Sequence, residues 1–94
     1  MVLFGGTMTK LNRRHLKTLM DIFEKPIRSS IDWSDIEALF NYLGAEVTEG
    51  KGSRVRVALG KEKAVFHRPH PQKETDKGAV ESVRQFLENA GVLP

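Results

Sequence analysis

RVRVALGKEKAVFH, residues 54–67, is the stretch that decides how this chain folds. In its first half Val55, Val57 and Leu59 alternate with Arg54, Arg56 and Ala58. Successive side chains of a strand point to opposite faces, so the alternation predicts a strand with one apolar and one wet side. Gly60-Lys61-Glu62 supplies a tight turn, and Lys63 to His67 returns as the second strand of an antiparallel hairpin. Two facings are open to that return strand. With Ala64 and Phe66 inward, Lys63, Val65 and His67 join Arg54 and Arg56 on a basic outer face; a slip of one residue turns Val65 and His67 inward instead.

Working toward the N-terminus, Gly50-Lys51-Gly52-Ser53 reads as a turn and Ala45 to Glu49 as a short third strand. Before it, Ile36, Leu39, Phe40 and Leu43 form the apolar stripe of a helix that Asp32 caps, with Asp35 three residues on and Gly44 at the left-handed C-terminal position. The acids Asp32, Asp35 and Glu37 lie near the start of that helix, where they complement its dipole, and read as structural. An earlier helix is expected from Asn12 to about Glu24, with Leu16, Leu19, Met20 and Phe23 as its buried stripe and Pro26 as its stop. Its outer face would carry Arg13, Arg14 and Lys17 with His15 near them. MVLFGGTM, residues 1–8, shows no periodicity and reads as a flexible leader to a single domain over residues 9–94.

Toward the C-terminus, Arg68-Pro69-His70-Pro71 cannot continue a central strand, because proline lacks an N–H and restricts the residue before it. After a polar loop, Thr75 or Asp76 caps a last helix whose stripe is Val80, Val83, Leu87 and Ala90, with Phe86 at its edge. Gly91 ends it, and Val92 and Leu93 fold back on the last turn. The predicted fold class is α+β, in the order α-α-β-β-β-α, with a three-stranded antiparallel sheet backed by helices.

A chain of 94 residues buries roughly 60 to 65% of its unfolded surface, so its core is thin. There is no cysteine, which excludes disulfides and thiolate metal sites and fits a reducing, cytoplasmic location. No apolar run approaches the roughly 20 residues of a membrane helix, and the N-terminus lacks the pattern of a signal peptide. The formal charge is only +3, but it is unevenly spread. Between Lys51 and Lys73 seven basic residues face the single acid Glu62. Charge of one sign on one element attracts phosphate and steers association. Lys51, Ser53, Arg54, Arg56, Lys63, Arg68 and Lys73 are therefore the candidate contacts to an anionic partner, RNA in the first place. A solvated, lysine-rich hairpin is the plainer alternative. Duplex DNA is less favoured, because Glu81 and Glu88 accompany the lone Arg84 on the last helix, which makes a poor recognition helix.

Proton transfer near neutral pH points to His15, His67 and His70, and the last two lie inside the basic segment. A histidine beside a phosphate can deprotonate a ribose 2′-hydroxyl, and RNA thus supplies its own nucleophile without a metal. Surface histidines with no chemistry are the alternative. No metal is expected: His67 and His70 are three apart, but no third ligand accompanies them. Gly50-x-Gly52-Ser53 lacks the lysine and helix of a phosphate-binding loop, and Trp33 and Phe40 read as core.

Gly52-Ser53, the basic hairpin, His70-Pro71-x-Lys73-Glu74, Lys77-Gly78, Ser82-Val83 and the ending Ala90-Gly91 together resemble the HicA toxins, ribonucleases of bacterial toxin–antitoxin pairs. Leu43-Gly44 before the first strand is similar too. The resemblance spans about residues 31–93 and leaves the first helix as an addition. It implies a fold like the double-stranded-RNA-binding domain, metal-independent cleavage of mRNA, and an antitoxin of the HicB type that covers the active face. It also carries one departure. In that family the Gly-Ser of the turn is usually followed by the catalytic histidine, whereas here Arg54 follows Ser53. Arginine stays protonated and makes a poor base. His70 matches the family's His-Pro position, and His67 is an extra histidine on the neighbouring strand able to take over the role. A HicA-like module that binds RNA or an acidic protein without cutting fits the same residues.

Overall fold

The computed structural model describes residues 12–94; the leader expected over residues 1–8 lies outside them. The described elements run α1 (Arg13–Ile22), β1 (Ile31–Asp32), α2 (Trp33–Tyr42), β2 (Glu46–Glu49), β3 (Arg54–Leu59), β4 (Glu62–His67), β5 (Glu74–Thr75) and α3 (Lys77–Asn89). The expected α+β order is present, with β2, β3 and β4 forming an antiparallel sheet in that order. Leu59 pairs with Glu62 across a two-residue turn, where Gly60 takes the positive φ of 62° that hairpin turns require.

The facing of β4 is settled by aromatic packing. Phe66 is buried, 5.8 Å from the ring of Phe40 on α2 and 5.7 Å from Phe86 on α3, while Trp33 lies 5.9 Å away. Val55, Val57 and Leu59 fill the same layer from β3. Phe86, expected at the edge of the last helix, is thus at the centre of the core, and Ala90 is only partly buried. A ring this size removes more surface from water than an alanine methyl, so it takes the inner position.

Each helix begins on the side-chain cap that its sequence offers. Asn12 accepts from the His15 N–H, Asp32 from Ser34 and Asp76 from Ala79. The last helix closes with Val92 N–H bonded to the Leu87 carbonyl, which buries Val92 fully. Leu93 does not follow it and stays 46% exposed.

Helix α1 corrects the expected stripe. Its inner face is His15, Thr18, Leu19 and Ile22, while Leu16 and Met20 are 41% and 56% exposed and Phe23 is partly buried. The buried set has the same i, i+3, i+4, i+7 spacing, shifted by one residue. Thr18 can enter because its hydroxyl donates to the Arg14 carbonyl at 3.0 Å, and His15 because its ring lies 4.6 Å from that of Tyr42. His15 is therefore packed, not part of the basic outer face with Arg13, Arg14 and Lys17.

Two short strands were not expected. β5 pairs with β1 antiparallel, Ile31 opposite Thr75, and the ladder is extended by Ser30 N–H to the Thr75 carbonyl and Trp33 N–H to the Lys73 carbonyl. It ties the chain after His70-Pro71 to the start of α2.

Candidate nucleic-acid interface

The outer face of the sheet follows from register. Cross-strand partners point to the same side, so three rows cross it: Glu46, Ala58 and Lys63; then Thr48, Arg56 and Val65; then Arg54 and His67. Arg54, Arg56, Lys63 and His67 are exposed. None of the three cations makes an ion pair with a described residue. Arg54 and Arg56 stand two residues apart, hence about 7 Å along the strand. Cations at such spacing on a sheet, with no ion-pair partner among the described residues, present a regular positive surface.

The third row brings an imidazole beside a guanidinium. Arg68 N–H donates to the Ser53 carbonyl at 2.8 Å, a bond just outside the Arg54–His67 pair. That pair is therefore of the non-hydrogen-bonded kind, in which Cα atoms come to about 4.5 Å and side chains stand closest. The Ser53 hydroxyl lies 3.4 Å from His67 Nδ1. Gly52, Ser53, Arg68, Pro69 and His70 line one hollow of about 480 Å³. Ser53 thus stands between the Arg54–His67 pair and the hollow that His70 lines.

Arg68 has a different place from its basic neighbours. Its Nε and Nη2 donate to the Glu37 carboxylate on α2 at 2.5 and 3.1 Å, and Nη1 donates to Glu49 on β2 at 2.8 Å. Glu37 also accepts from the Trp33 indole N–H. Hydrogen bonds from Arg68 hold the Glu37 carboxyl below its ordinary value of 4.5 against the opposing effect of burial, and hold Glu49 down likewise. The same two carboxylates raise Arg68 further above the already high arginine range. With both forks of the guanidinium occupied, Arg68 is a clamp joining α2, β2 and the end of β4.

The other sequence-predicted positions divide. Lys51 and Ser53 are exposed in the turn before β3, beside the third row. Lys73 lies beyond Pro71 and lines a separate hollow of about 560 Å³ with Asp32, Trp33, Ser34, Glu37 and Arg68. There it sits near the Asp32 carboxylate, which is lowered chiefly by the Ser34 hydroxyl and to a lesser degree by Lys73. Glu37 and Glu49 were not legible as site-forming residues: 31 positions separate Glu37 from Arg68, and helical periodicity says nothing of a partner so distant. Among the described residues no group of three or more His, Cys, Asp or Glu side chains could hold a metal ion.

Residues 33–92 match the model of the family described as HicA toxin of bacterial toxin–antitoxin. No curated protein and no solved structure matches. The matched span starts at the first residue of α2 and ends at the buried Val92, so it takes in the whole three-stranded sheet and leaves α1 outside. With well over half of its length matched by that family's model, this chain belongs to the HicA toxin family.

Proposed function

We propose that this toxin binds mRNA across the outer sheet face and cleaves it as a metal-independent endoribonuclease. The observation that carries this reading is the pairing of His67 with Arg54 across the β3–β4 ladder. The imidazole that the family places after Gly-Ser is missing from β3, and one stands on the adjacent strand directly opposite. His67 takes the 2′-hydroxyl proton while O2′ bonds to the neighbouring phosphorus. The P–O5′ bond breaks, and His70 returns a proton to the departing O5′. The products are a 2′,3′-cyclic phosphate and a 5′-hydroxyl. Arg54 faces the charge that develops on the non-bridging oxygens, which is where a fixed cation lowers the barrier. Arg56, Lys63 and Lys51 hold the backbone on either side.

A toxin acting on mRNA works in the cytoplasm, and none of the described helices is long and apolar enough to cross a membrane. A HicB-type antitoxin would silence the toxin by covering the same basic face. The test is cleavage of a long mRNA by the purified toxin, wild type beside His67→Ala and His70→Ala. Loss in the histidine variants with binding retained supports catalysis. An intact mRNA with wild-type protein, still bound, favours the alternative of a non-catalytic module for RNA or an acidic partner. That alternative draws on the arginine itself, which binds phosphate well and accepts protons poorly.

A further inference from the structure

The first two rows of the outer face enclose a feature that phosphate binding does not use. Glu46, Thr48, Arg56, Ala58, Lys63 and Val65 surround a shallow hollow of about 530 Å³. Its cause is Ala58, the one small residue in the middle of the central strand, flanked by Glu46 and Lys63 in its own row and by Arg56 and Val65 in the next. Val65 is 54% exposed on this wet face. The floor is aliphatic, and the rim carries cations and one carboxylate.

We infer that this hollow is a nucleobase subsite, so that the toxin's RNA ligand is single-stranded with a base turned onto Ala58 and Val65; the inference rests on the RNA-binding reading above. A duplex presents phosphates and 2′-hydroxyls to a protein and keeps its bases stacked, whereas a single strand can splay a base onto an apolar surface. The unpaired Arg56 and Lys63 at the rim meet the strand's phosphates, and the Arg56 guanidinium plane offers a stacking surface to the base. Glu46 is an acceptor for an exocyclic amine, which cytosine has and uracil lacks. The Ala58 row lies four residues along the strand from the Arg54–His67 row, about 13 Å. The base read in the hollow is therefore a near neighbour of the bond that His67 faces, and it is the position where sequence preference arises.

The experiment compares a single-stranded oligoribonucleotide with an abasic ribose-phosphate chain of equal length, the same charge without bases. Wild type should bind the base-bearing chain about fivefold more tightly, the effect of removing about 40 Å² of apolar surface from water. Ala58→Leu, which fills the hollow and removes no charge, should abolish that difference while leaving affinity for the abasic chain unchanged. Glu46→Gln, at an exposed edge position, should narrow a preference for oligocytidylate over oligouridylate. Equal binding of both chains by wild type would overturn the subsite and leave backbone recognition of RNA standing. Binding of neither chain would overturn both. If Ala58→Leu lowers affinity for a HicB-type antitoxin but leaves the base preference intact, the hollow is a protein contact and the inference fails.

Discussion

His67 stands opposite Arg54 in a non-hydrogen-bonded pair of the β3–β4 ladder, with the Ser53 hydroxyl 3.4 Å from its Nδ1. Because the two side chains leave the same face side by side, an imidazole on either strand reaches nearly the same space. The relation turns a missing histidine at position 54 into a testable exchange.

His67→Ala should lower the rate of RNA cleavage by about 10² to 10⁴, the usual contribution of a general base, while RNA affinity changes little. The double variant Arg54→His, His67→Ala moves the imidazole to β3 and should recover part of that loss. Single-turnover cleavage of a labelled oligoribonucleotide measures both. A double variant no more active than His67→Ala would show that the two positions are not interchangeable.

Salt should separate the cations of the open face from the clamp. Each phosphate contact on a single strand contributes about −0.7 to the slope of log K against log salt. If Lys51, Arg54, Arg56 and Lys63 each meet one phosphate, the slope is about −3. Arg56→Ala should make it shallower by one contact, about 0.7. Fluorescence anisotropy titrations at several salt concentrations give the values.

Glu37→Gln should destabilise the fold by about 2 kcal/mol, since the charge-assisted bonds to Arg68 are lost. In a domain this small that is a fall in Tm of about 10 °C. The pH dependence has a defined sign. Arg68 lowers the folded-state value of Glu37, so the stabilisation is complete above the ordinary value of 4.5 and is lost as pH falls through the lowered value. The Tm gap between wild type and Glu37→Gln should stay level from neutral pH down to about pH 4.5 and close at lower pH.

The shifted face of α1 predicts an asymmetry between neighbouring residues. Leu16→Lys and Met20→Lys, on the exposed side, should change stability by about 0.5 kcal/mol or less. Leu19→Ala, fully buried, should cost about 2 to 5 kcal/mol through the cavity it leaves. Urea denaturation of the three variants decides it. A large loss in Leu16→Lys would restore the originally expected stripe.

Much of the scaffold was legible because its signals are local. Asp32 and Gly44 bracket α2, and the alternation from Arg54 to Leu59 marks β3 to the residue. Helix α1 misled because hydropathy ranks Leu16 and Met20 above His15 and Thr18, yet Thr18 is buried with its hydroxyl bonded to its own helix and His15 with its ring packed against that of Tyr42. The β1–β5 ladder was invisible because two-residue strands have no periodicity to read.

For the site, the residue types and the wet face of β3 were written in the chain: a basic, alternating strand followed by a return strand that ends in histidine. Their assembly was not. The facing of β4 was decided by where Phe66 found Phe40 and Phe86, aromatic surface that only the packed helices provide. The separation of Arg68 from the other cations was decided by Glu37 and Glu49, carboxylates brought to it from two other elements. Spacing along the chain encodes which side of an element a residue occupies. Whether a charge there is free to meet a ligand depends on what tertiary structure places within hydrogen-bonding distance.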